Sequence, residues 1–182
     1  IYSAWHTGKD TEIYKKCYRY IHGIFDKNGA NNVLWVWNPN EKSFPNFTWN
    51  AMELYYPGNE YVDIIGLTGY NTGTYYKGES WRSFDEIYGN MYQTYRNMFS
   101  QPLMITEFAC SGIGGDKAAW IADMFQQLHK YPDIKVAIWW NGCDWVVPGE
   151  VPARPYCVNE TAQTLESFKQ GWEAQTAALK AK

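Results

Sequence analysis

Four short runs of apolar, β-branched and aromatic residues fix what this 182-residue chain can become: residues 33–37, 62–68, 102–106 and 134–140. Their starts lie 29, 40 and 32 residues apart. Each is nearly continuous in apolar side chains, the pattern of strands covered on both faces. Helical patterns fill most of the intervals. Residues 11–28 put Ile13, Cys17, Tyr20, Ile21 and Ile24 on one face, with Cys17 as a small buried hydrophobe. Residues 83–99 open on Ser83 with Glu86 three positions on, a capping box. Residues 117–130 and 160–179 complete the set. Strands and helices alternating at this pitch predict an α/β fold on a parallel sheet.

Polar and aromatic residues gather just past the strands' carboxyl ends: Trp37-Asn38, Tyr70-Asn71, Glu107 and residues 139–141. Ligands bind at that edge of α/β folds. An eight-stranded barrel takes about 250 residues, more than this chain supplies. The chain leads with a helix and opens on Ile1-Tyr2-Ser3-Ala4-Trp5, with neither an initiator Met nor a basic signal-peptide start. The expectation is a (β/α)8 TIM barrel of which this chain carries about the fifth to eighth βα units, as one domain over 1–182.

Composition narrows the ligand. A net charge of −3 with no basic cluster excludes a nucleic-acid or anionic-membrane partner, and no apolar run reaches membrane-spanning length. The 10 Trp, 15 Tyr and 8 Phe exceed what a core of this size needs. Rings beside Asn and Asp suit a surface that stacks on sugar faces while bonding hydroxyls. His6, His22 and His129 form no metal-binding spacing, so neither metal nor cofactor is expected. Of the four cysteines, Cys143 and Cys157 flank one Pro-rich loop that a disulfide could pin, with Cys110 as the other partner for Cys143.

Glu107 ends an apolar strand, where a carboxylate is costly unless hydrogen-bonded or employed. One reading makes it a helix cap or the partner of Lys117. The other makes it the nucleophile of a glycoside hydrolase, oriented by Tyr70 from the neighbouring strand's end. Trp139 and Trp140 point to opposite sides of the last strand, one as a sugar platform and one against helices; periodicity does not say which. Trp35 and Trp37 share a side, in the core or against substrate. Asp144 caps its loop or contacts substrate, as Asn71 and Trp5 are also expected to do.

These segments resemble glycoside hydrolase family 26. Residues 55–71 (YYPGNEYVDIIGLTGYN) are similar to its sixth-strand signature, and residues 102–108 (PLMITEF) with 114–121 (GGDKAAWI) to its seventh-strand nucleophile segment. Residues 134–141 are similar to its eighth strand and 32–40 (NVLWVWNPN, from Asn32) to its fifth. The resemblance implies a (β/α)8 barrel and retaining hydrolysis of β-linked plant polysaccharides by a secreted enzyme. Mannan is the leading substrate and mixed-linkage β-glucan the alternative; a non-catalytic carbohydrate-binding half-barrel is a further reading. It implies Glu107 as nucleophile, Tyr70 as its hydrogen-bonding partner and Trp139 as the platform at the cleavage subsite. The family's acid/base Glu falls a few residues before Ile1, so the partner expected for this chain is the remaining half-barrel.

Overall fold

The computed structural model describes residues 10–147 and 149–181; Trp5 and His6 lie outside the described residues. Helix α1 (Thr11–Lys27) is followed by strand β1 (Val36–Trp37), β2 (Ile64–Asn71), α2 (Phe84–Met98), β3 (Leu103–Cys110), α3 (Lys117–Gln127), β4 (Ile134–Trp139), β5 (Cys143–Asp144), β6 (Arg154–Pro155) and α4 (Ala162–Lys180). The first four strands hydrogen-bond in the order β1-β2-β3-β4, and β5 and β6 form a separate antiparallel pair. β1 and β2 run parallel, with Val36 opposite Ile64. Rungs from Ile65 N to the Pro102 carbonyl and from Ser111 N to the Asn71 carbonyl advance together along β2 and β3, so this pair is parallel too.

The helix starts follow from the sequence. Asp10 accepts from Ile13 N at the head of α1, and Asp116 accepts from Ala119 N at the head of α3. Glu86 accepts from both Ser83 N and Ser83 Oγ while Ser83 Oγ accepts from Glu86 N, closing the capping box of α2. Thr161 and Thr164 make the equivalent reciprocal pair at α4. β1 is shorter than the apolar run that predicts it, because the Asp63 carboxylate accepts from Trp35 N, taking that donor out of the ladder.

The chain divides into two compact units. The first takes in residues up to 68 with 99–106 and 134–136, around Trp37, Val62, Ile65, Leu67, Phe99, Leu103 and Ile105. Within it Trp35 lies against Tyr18, His22 and Phe25 of α1. Cys17 corrects the expectation made for it: it is exposed, and α1 has no fully buried residue.

The second unit takes in 69–98, 107–133 and the chain from 137 onward. Phe84, Tyr88, Phe108, Trp120, Ile121 and Met124 form its centre. α3 and α4 meet through Phe125 and Phe168, 5.6 Å between ring centroids. A Cβ on Gly171 would come within 2.0 Å of the Phe125 ring, so only glycine lets the helices approach this closely. No helix among the described residues is long and apolar enough to cross a membrane.

Candidate active site

All the groups of this site that the structure describes belong to the second unit. Tyr70 lies near the carboxyl end of β2 and Glu107 on the adjacent β3. The Tyr70 hydroxyl donates to Oε1 of Glu107 in a short hydrogen bond. Glu107 is exposed, so its carboxylate is oriented by the phenol and still reachable by a ligand. Burial above all, and then the hydrogen bond to the Glu107 carboxylate, pushes the Tyr70 phenol well above its ordinary range. Tyr70 therefore stays a proton donor throughout the neutral range.

Three neighbours hold Tyr70 in place. Its ring centroid is 5.3 Å from that of Tyr156 and 6.2 Å from that of Trp140, and Tyr156 and Trp140 are 5.4 Å apart. Arg82 Nη2 donates to the Tyr70 carbonyl at 2.8 Å. Arg82 is itself fixed: its N–H donates to Asn71 Oδ1, and its carbonyl accepts from Trp120 Nε1 at 2.8 Å. A Cβ on Gly142 would come within 2.7 Å of the Trp140 ring, so the indole lies flat across that glycine.

The two adjacent tryptophans separate as strand geometry requires, but their sides differ from the expected assignment. Trp139 turns to the helices: its ring lies 5.2 Å from Phe108, 6.1 Å from Trp120 and 5.9 Å from Phe168, and its Nε1 donates to the Tyr156 carbonyl at 2.8 Å. Trp140 is the indole on the Tyr70 side. The reason is packing: Phe108 faces the helix layer, and the ring at 139 shares that layer with it.

Asn71 is fully buried and its amide is used internally. Oδ1 accepts from Gly73 N at 3.3 Å and Arg82 N at 3.1 Å, while Nδ2 donates to Cys110 Sγ at 3.3 Å. It organises the loop after β2 instead of presenting an amide to a ligand. Trp37, in the first unit, is 1% exposed, with its ring edge-on to Tyr56 and Phe99. It fills core. Asp144 pairs with Arg154 Nη2 at 2.6 Å and accepts from the Tyr156 hydroxyl at 3.5 Å. Arg154 also pairs with Glu79 and lies over the Tyr76 ring.

Lys117 does not reach Glu107. It is buried at the start of α3, where Nζ donates to Glu160 and to the Cys157 carbonyl at 2.8 Å each, and to the Pro155 carbonyl at 3.4 Å. Tyr156 and Arg82 were not among the residues the sequence singled out. Neither carries a periodic signal; each acts through a loop whose course only the fold reveals. Among the described residues no three His, Cys, Asp or Glu side chains gather as a metal site.

A strand-end carboxylate on a parallel sheet is thus oriented by a phenol from the next strand. Residues 3–109 match the model of glycosyl hydrolase family 26. The chain belongs to that family. It is 38% identical over 161 residues to Endoglucanase H of Acetivibrio thermocellus, covering 87% of this chain and 17% of that one. It is 33% identical over 132 residues to a mannan endo-1,4-beta-mannosidase of Bacillus subtilis, covering 71% of this chain and 30% of that one. The catalytic domain of a Bacillus sp. JAMB-750 family 26 endo-beta-1,4-mannanase superposes with a TM-score of 0.60 at 22% identity, over 91% of this chain and 44% of that one. The fold is thus that of part of a TIM barrel, and the chain spans about a sixth to a third of the length of these curated relatives.

Proposed function

We propose that this chain carries the nucleophile half of a retaining endo-glycoside hydrolase acting on β-1,4-linked mannan. The observation that carries the reading is the Tyr70–Glu107 hydrogen bond at an open strand end. In a retaining reaction one carboxylate attacks the anomeric carbon while a second carboxyl group, about 5–5.5 Å away, protonates the leaving oxygen and later activates water. Glu107 is the attacking group. Tyr70 fixes which oxygen faces the sugar, and its phenol stays protonated as the glycosyl bond forms. Trp140, backed by the buried Tyr156, supplies the indole against which the sugar ring lies. The family resemblance assigns the acid/base to a Glu of the other half of the barrel, and a polymeric substrate implies a secreted protein.

The match to Endoglucanase H, the higher in identity and coverage of the two relatives, favours a second reading in which the polymer is a β-glucan. Reducing-sugar release by the full-length gene product from mannan, mixed-linkage β-glucan and β-1,3-xylan separates the readings. Release from mannan alone supports the first and release from glucan alone the second. No release from any of them, in a protein holding both carboxylates, removes the hydrolase reading and leaves carbohydrate binding, which polysaccharide gel retardation detects.

A further inference from the structure

We propose that Cys143 and Cys157 form a reversible disulfide that staples the root of the β5–β6 hairpin beside Tyr70. In the β5–β6 register Cys143 stands opposite Pro155, so Cys157, two positions on, lies on the same face at the diagonal position. The ladder continues beyond the two named strands, since Tyr156 N donates to the Gly142 carbonyl at 2.9 Å, which holds the two cysteines in register. The Cys157 thiol donates to that carbonyl at 3.6 Å, and burial together with the neighbouring Cys157 thiol raises the Cys143 thiol above its ordinary range. Both are half-buried, within reach of a small oxidant, and both stand here as thiols. The other two cysteines are placed differently. Cys17 is exposed on α1, and burial pushes the fully buried Cys110 thiol up to about 12, which keeps it protonated and unreactive.

The chemistry is thiol–disulfide exchange with a small-molecule or protein disulfide as oxidant. One cysteine, as its thiolate, attacks a sulfur of the oxidant and releases one reduced thiol. The second cysteine then attacks the mixed disulfide, forms the Cys143–Cys157 bond and releases the other thiol. Two protons and two electrons pass to the oxidant. The bond closes a loop around Asp144, Arg154 and Tyr156, and it restrains the residue whose ring packs on Tyr70 and whose carbonyl holds Trp139. Its effect on hydrolysis rests on the function proposed above; its formation does not.

The test is to treat the full-length protein with oxidised glutathione, alkylate the remaining thiols under denaturing conditions, and map the peptides by mass spectrometry. The expected product links Cys143 to Cys157, with Cys110 alkylated, and melts several degrees above the form reduced with dithiothreitol. Cys143→Ser loses both the link and the melting shift, whereas Cys17→Ser keeps both. Full alkylation of Cys143 and Cys157, glutathione capping without ring closure, or a link from either residue to Cys110 or Cys17 overturns the proposal. Inactivity on every polysaccharide leaves this result standing, because the mapping does not depend on turnover.

Discussion

The Tyr70 hydroxyl on β2 donates to Oε1 of Glu107 on β3, so the carboxylate's orientation is set by a side chain from the neighbouring strand. A hydrogen bond to a charged group contributes about 1.5–3 kcal/mol, and about 1.4 kcal/mol corresponds to tenfold in rate. On the proposed function, Tyr70→Phe in the full-length protein is therefore expected to lower kcat about ten- to a hundredfold with a smaller change in KM. Steady-state kinetics on the active polysaccharide check this.

Glu107→Gln keeps the shape of the side chain and removes the carboxylate proposed as nucleophile. Turnover is expected to fall by more than about 10³-fold while retardation of the protein in a polysaccharide gel persists. Loss of retardation together with turnover would assign Glu107 to binding.

The tryptophan pair separates stability from recognition. Trp139→Ala opens a hole between Phe108, Trp120 and Phe168 and is expected to cost about 3 kcal/mol or more, read as a fall in denaturation midpoint. Trp140→Ala is expected to leave the midpoint nearly unchanged and to raise KM severalfold. The reverse pattern would place the sugar platform at Trp139.

Asn71→Ala leaves the N–H groups of Gly73 and Arg82 without their acceptor in a buried loop. Stranded buried donors cost about 1–3 kcal/mol each, so a destabilisation of about 2–6 kcal/mol is expected in chemical denaturation. Activity falls with the folded fraction and by more, because Arg82 holds the Tyr70 carbonyl.

The phenols of Tyr70, Tyr131 and Tyr156 are all pushed well above the ordinary value, chiefly by burial. In the unfolded chain they ionise near pH 10. Above that pH the unfolded state holds fewer protons than the folded one, so their contribution to stability is complete below about pH 10 and declines as pH rises further. Near-ultraviolet absorbance should show these phenolates appearing only with unfolding. Tyr70→Phe should make the alkaline decline shallower.

Much of this architecture is legible in the sequence because backbone chemistry is local. The capping box of Ser83 and Glu86 marks the start of α2 directly, and Asp116 marks that of α3. Glu107 and Tyr70 stand out because polar groups at the ends of apolar strands need a partner. The side on which each tryptophan falls was not legible: alternation separates Trp139 from Trp140, but only Phe108 and α4 decide which one meets the helices. Asn71 looked like a ligand contact because a strand-end amide is identical in sequence whether it serves a sugar or its own loop. Cys17 fits a helical stripe, yet α1 buries nothing completely, since its neighbours are the rim of Trp35 and the loop at Tyr55.

The ammonium of Lys117 grips two backbone oxygens, at Pro155 and Cys157, from the first turn of α3. The hairpin that carries Tyr156 is thus moored at its base, while Val146, Val147 and Val151 stand in solvent. Substitutions among those valines can be accepted without loosening the aromatic wall. A change at position 117, though remote from Glu107, would cast that wall adrift.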